Sequence, residues 1–247
     1  MAAEQHPCFE APENLETKIW RYMDFTKFMS LLDTSSLFLS RVDKFDDPYE
    51  GATSHFNITA RPMVYADAKI PVEVGHQLGE FIRKSREWTY VNCWHLNDHE
   101  SAAMWKLYAQ TNEAVAIQSR FSVLQDLLPE KTYVGRVKYI DYDKDWLPEG
   151  NGFWPFVHKR KSFEHEKELR ILSQELPLSA SDDTINFNQK NDTFGKNIEI
   201  DLNQLIEAVY ISPDAPAWFF ELVKGAIDRY GYSFQVIQSD LARKPVY

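Results

Sequence analysis

The densest chemistry in the chain lies in Glu164-His165-Glu166-Lys167-Glu168-Leu169-Arg170-Ile171-Leu172, where carboxylates alternate after the basic run His158-Lys159-Arg160-Lys161 and the segment closes apolar. If this stretch is extended, a period of two places Glu164, Glu166 and Glu168 on one face with Arg170 beside them. Clustered like charges shift one another's pKa, so such a face needs a cation, a metal or a substrate dipole to persist. If it is helical, the first carboxylates are a solvated turn. The plain structural alternative is a Glu168–Arg170 ion pair that locks a strand edge. Cys93 and His95 share a face at i and i+2 on a strand, but adjacent placement gives poor in-line geometry for a thiol nucleophile. A lone internal Cys is more often a small buried hydrophobe.

Elements that must position these residues are legible from periodicity. Lys18–Met23 reads as a strand, Asp24 as an N-cap, Phe25-Phe28-Met29-Leu32 as a helical stripe and Leu37–Ser40 as a second strand. The charged segment Arg41–Gly51 is punctuated by Asp47-Pro48 and Gly51. A helix is expected over 71–88, a strand over 88–94, a helix over 99–109 with Trp105 and Tyr108 at i and i+3, and strands at 114–117 and 133–140. Pro148, Gly150 and Gly152 mark a flap. A strand near 168–173 precedes a polar surface loop at 180–196. Strands at 197–201 and 208–211 flank a short helix, and a helix over 215–230 leads to a last strand at 233–237. Short strands with separated helices define α+β, a single domain with a mixed β-sheet flanked by helices, over 17–247, after a flexible N-terminal lead-in at 1–16.

Composition narrows the function. Across 247 residues, 27 Lys+Arg against 37 Asp+Glu give a net charge of -10, which disfavours indiscriminate binding to nucleic-acid backbones. With only Cys8 and Cys93, a disulfide framework is excluded and a cytoplasmic setting expected. No apolar run reaches the length of a membrane span, so no membrane partner is expected. A protein partner is left open.

The order of blocks is also informative: Phe45-Asp46-Asp47-Pro48-Tyr49-Glu50, then Cys93-Trp94-His95 and Trp105-Lys106-Leu107-Tyr108-Ala109, then Val137-Lys138-Tyr139, then Glu166-Lys167-Glu168-Leu169-Arg170. Together they resemble the bacterial domain of unknown function 2971 family, from about Trp20 to the C-terminus. That resemblance supplies no reaction; it implies a context of bacterial defence and abortive infection. A second resemblance is to ADP-ribosyltransferases, which open with a basic residue on a strand, continue to a strand ending in a hydroxyl residue and carry a later Glu-x-Glu. Arg21, Ser40 and Glu166/Glu168 fall in that order.

In that reading, with NAD as substrate, Arg21 holds a phosphate or ribose and Ser40 braces the nicotinamide side. Glu168, with Glu166 beside it, stabilises the oxocarbenium-like ribosyl centre as nicotinamide leaves. Ligand-binding candidates beside them are Arg41, Asp47, Glu50, His95, Trp105, Tyr108 and Arg170. A nucleotide-handling transferase or glycohydrolase is therefore expected. One alternative is a metal-dependent nuclease or phosphodiesterase using Asp46, Asp47, Glu50 and the 164–168 carboxylates around magnesium. Another is a non-enzymatic sensor that binds a small-molecule nucleotide. All require the Arg41–Glu50, Trp94–Tyr108 and Glu164–Arg170 blocks to converge at one end of the sheet.

Overall fold

Asp24 closes β1 (Lys18–Asp24) and opens α1 (Phe25–Thr34), its carboxylate accepting the Lys27 amide at 2.8 Å. Such a cap satisfies one of the unpaired amides of the first turn. At the other end Ser35 takes the left-handed conformation, φ 47°, and turns the chain straight into β2 (Ser36–Arg41). The computed structural model describes residues 6–109, 111–179 and 184–247. Residues 1–5 of the expected lead-in and 180–183 of the expected polar loop lie outside the described residues.

The remaining elements are α2 (His55–Asp67), α3 (Val72–Ser85), β3 (Thr89–Leu96), α4 (Ala102–Tyr108), β4 (Ala114–Arg120), α5 (Phe121–Leu127), β5 (Tyr133–Arg136) and β6 (Lys138–Ile140). They continue with β7 (His158–Arg160), β8 (Glu168–Gln174), β9 (Gly195–Glu199), α6 (Leu202–Leu205), β10 (Ala208–Ile211), α7 (Ala217–Arg229) and β11 (Gln235–Gln238). Nine strands form one mixed sheet in the order β11-β10-β4-β1-β3-β2-β9, with β8 also on β3 and β5 on β8. Its ladders are antiparallel except β10 with β11. The α+β single-domain expectation is met.

The central strand of this sheet is shared unevenly. Along one edge β3 pairs continuously with β8, from Thr89↔Gln174 to His95↔Glu168. Its other edge is divided between Tyr90 and Val91, which pair with β2, and His95 and Leu96, which pair with β1. Asn92, Cys93 and Trp94 pair with neither, so β1 and β2 diverge around a fork in the sheet. Alternation then sorts the side chains. One sheet face carries Ile19, Leu39, Trp94, Ile117 and Leu169 under Phe28 of α1, Phe121 of α5 and Phe219 of α7. On the opposite face Trp20 and Tyr22 receive Met104 and Trp105 of α4.

Four local expectations change. The strand expected over 133–140 breaks at Val137: β5 stays in the main sheet, while β6 pairs in parallel with β7. Gly135 explains the first part, because a Cβ there would stand 2.8 Å from the Phe9 backbone. The lead-in is thus tied down where it is described, through a Glu10↔Arg136 bridge and a Phe9 ring stacked 5.1 Å from Tyr133. The segment around Gly150, expected as a flap, is fastened by Glu149, which accepts from Asn57 (2.8 Å), Arg61 (2.8 Å) and Tyr65 (2.6 Å). Those donors sit on α2, a helix without a sequence expectation because it buries only Asn57 and Tyr65 and has no apolar stripe.

Candidate functional site

The carboxylate segment is neither a strand throughout nor a helix. Lys161–Glu166 is a 3₁₀ turn, Lys167 sits in the left-handed region at φ 41°, and β8 begins at Glu168. Glu164 is exposed on the turn, which corrects the expected three-carboxylate face. Glu166 and Glu168 both turn inward, to 7% and 3% exposure.

Their counter-ion is Lys159 of β7, 8% exposed, from the basic run that precedes them. Its Nζ lies 2.6 Å from Glu166, 3.2 Å from Glu168 and 3.3 Å from Glu50. Arg170, fully buried, donates to Glu168 at 2.7 Å, to Glu50 at 2.9 and 3.2 Å, and to the Phe156 carbonyl at 2.6 Å. Three carboxylates and two cations therefore share one desolvated knot. Burial pushes Glu168 up, but Arg170 and Lys159 outweigh it and hold its carboxyl well below the usual carboxylate range. The same balance keeps Lys159 and Arg170 charged, their carboxylate partners overriding desolvation. The Glu168–Arg170 ion pair is real, and Glu168 nonetheless also reaches a cavity wall.

That cavity, ≈ 210 Å³, opens at the fork between β1, β2 and β3. Arg21, Ser40, His95, Tyr108, Glu166 and Glu168 all line it, as do Asn92, Cys93 and the rings of Phe38 and Phe45. Among the described residues nothing hydrogen-bonds or ion-pairs with the Arg21 guanidinium, and burial without a counter-ion lowers it to about 10. Asn92 donates through Nδ2 to the Phe38 carbonyl (2.9 Å), leaving its buried Oδ1 without a partner among the described residues. His95, 2% exposed, holds the Glu166 carbonyl with Nδ1 at 2.5 Å, while its Nε2 is likewise unpartnered. Burial raises the Tyr108 hydroxyl and, reinforced by Glu168, raises the Cys93 thiol. A thiolate nucleophile is accordingly disfavoured.

Five expected site residues lie off the cavity wall. Arg41 is turned away with Leu39 and binds Asp43 (2.6 Å) and the Asn191 and Thr193 carbonyls, anchoring the approach to β9. Asp47 pairs with Arg160 at 2.8 Å and caps its own turn through the Tyr49 amide. Glu50 and Arg170 belong to the knot behind Glu168. Trp105 donates to Glu100 and meets Tyr22 edge-on at 4.9 Å, as a core residue. The blocks still converge, since Glu50 reaches Arg170 and His95 faces Glu168 across the ladder. Among the described residues no group of three or more His, Cys, Asp or Glu is placed to hold a metal ion.

Sequence reasoning missed Lys159 and Asn92. For Lys159 a signal existed: buried carboxylates demand cations, and the nearest basic run lies seven residues upstream. Asn92 had no signal, because its exposure to the cavity depends on where two distant strands part.

No family model and no curated protein matches the chain. Among solved structures it is similar to DarT of Thermus sp. 2.9, in complex with carba-NAD+, at 9% identity and a TM-score of 0.40, covering 93% of this chain and 97% of that one. So loose a superposition carries neither fold nor function.

Proposed function

We propose that the fork cavity takes the nicotinamide end of NAD and that the protein is an ADP-ribosyltransferase-like transferase or glycohydrolase. The observation that carries this reading is one cavity lined both by a guanidinium without a counter-ion, Arg21, and by a carboxylate that its cations hold ionised well below neutral pH, Glu168. A dinucleotide supplies the complement of each. Its pyrophosphate would accept charge-assisted hydrogen bonds from Arg21. Its ribosyl C1′ becomes cationic as nicotinamide departs, which a fixed anion favours because the stabilisation is greatest in the transition state. Ser40 and the unpartnered Oδ1 of Asn92 offer polar partners for the carboxamide. The cavity is below the ~300–1,000 Å³ of sites that enclose whole drug-sized ligands, so the adenosine half would lie along the mouth, where Phe38 is 45% exposed.

A second reading has one observation in its favour: both Glu168 oxygens are already held by cations, as suits a nucleotide-binding module without turnover. The resemblance to the domain of unknown function 2971 family stands as a proposal on its blocks and adds no reaction. The test is nicotinamide release from NAD by the purified protein and by Glu168→Gln, with and without cell lysate as a source of acceptor, after circular dichroism has established that both are folded. Release by the wild type that falls at least ~100-fold in the variant is expected, the order lost when one electrostatic transition-state contact is removed. A folded wild type that binds NAD and leaves it intact would move the assignment to the binding module.

A further inference from the structure

We infer that His95 is the proton acceptor for the incoming nucleophile, so that the acceptor used by this site is a hydroxyl compound or water. This rests on the NAD reading above. A carbonyl oxygen only accepts hydrogen bonds, so the contact with Glu166 O fixes the proton on Nδ1 and leaves Nε2 as a bare lone pair. An unsatisfied buried acceptor is destabilising, and a donor on a bound substrate would relieve it. The ring is held edge-on against Tyr22 at 6.2 Å, which limits its rotation.

Burial and the nearby cations favour the neutral form, while Glu168 is the one anion facing the ring. Tyr22 faces it from β1, Glu168 from β8 and Cys93 from its own strand, while Tyr108 of α4 shares its cavity; burial lowers its pKa below the ordinary 6.5, and Lys167 and His165 lower it further against the Glu166 carbonyl. Glu168 is a poor candidate for the same task, since both its oxygens are held by Lys159 and Arg170. The remaining carboxylate, Glu166, has one oxygen committed to Lys159.

The C1′–N bond to nicotinamide breaks with its electron pair going to the pyridine nitrogen, which becomes neutral. The acceptor oxygen gives a lone pair to C1′, forming the C1′–O bond, and its proton passes to His95 Nε2. The imidazolium then releases that proton to solvent. Group-transfer enzymes typically gain ~10²–10⁴-fold from a positioned base.

The experiment follows nicotinamide release between pH 5 and 9 for the wild type and His95→Asn, with NAD affinity measured on both by calorimetry. Asn can keep the donor to Glu166 O while removing the Nε2 lone pair. Expected are an NAD affinity within about twofold, a kcat lower by ~10²-fold or more, and an acid limb below pH 6.5 that is present in the wild type and absent from the residual activity. A kcat and acid limb equal to wild type in His95→Asn would overturn the assignment while leaving the NAD reading intact. A wild type that neither binds nor consumes NAD would overturn that reading and this step with it. Should His95→Asn not fold, long-range ¹H–¹⁵N correlation on the wild type at pH 7 decides: an unprotonated Nε2 supports the assignment, a protonated one overturns it.

Discussion

Arg170 and Arg21 are two inward-facing arginines in one sheet with opposite surroundings. Arg170 has every approach met, by Glu168, Glu50 and a main-chain carbonyl, and its charge is reinforced. Arg21 faces the fork with no counter-ion among the described residues, and its protonated form is weakened. The difference separates structure from recognition. A neutralised buried charge belongs to the fold, and removing one partner strands the others. A charge that folding leaves unneutralised destabilises the free protein, and an anionic ligand would reverse that effect.

Breaking the comparison on the structural side should have the largest effect. Arg170→Leu leaves Glu50 and Glu168 with Lys159 alone and is expected to lose ~3–5 kcal/mol of stability, the range for breaking a buried pair, read by urea denaturation. The matching change, Arg21→Met, is expected to leave the unfolding midpoint unchanged or higher. It should weaken NAD binding by ~10–100-fold, since a hydrogen bond to a charged group contributes ~1.5–3 kcal/mol, measured by calorimetry. An Arg21→Met protein that unfolds as easily as Arg170→Leu would erase the distinction.

Acid sharpens the same contrast. Glu168 has a folded carboxyl held below its ordinary 4.5, so its contribution to stability is full above that value and is lost as pH falls through the folded one. Thermal midpoints should therefore drop below pH 4.5, and the drop should be shallower in Glu168→Gln. The smallest effect is reserved for the rim. Lys27 lines the cavity, but its side chain is 64% exposed and sits 3.1 Å from Asp24. Lys27→Ala should change stability by under ~1 kcal/mol, as exposed pairs do, measured by urea denaturation.

How much of this was legible in the chain depends on the range of the interactions. β1, Asp24 and α1 were readable because period and capping are local, and the Glu166/Glu168 pair because its alternation is local too. The inward turn of that pair was not readable: it depends on one left-handed residue between a 3₁₀ turn and a strand, where the sequence shows only alternation. Asp47 and Arg41 were misassigned because charge is visible in a sequence and its partner is not; Arg160 and Asp43 neutralise them. The helix at His55–Asp67 escaped because hydrogen bonds to Asn57 and Tyr65 replace the apolar stripe that marks most helices. The fork itself follows from pairings between strands distant in the chain, Trp20 with His95 and Ser40 with Val91, which no local pattern encodes.

Lys167 makes the Glu-x-Glu pair hard to transplant. Copied onto a regular strand of another protein, the three residues would project as consecutive rungs, the first carboxylate standing where this chain has already curled into a turn. A graft would have to carry the kink, the preceding turn and the lysine from β7 as one cassette. Conversely, inserting or deleting one residue at 167 would reverse the phase of β8 against β3 or force the turn to absorb the slip. The motif is thus a small mechanical part whose chemistry is set by its backbone as much as by its two acids.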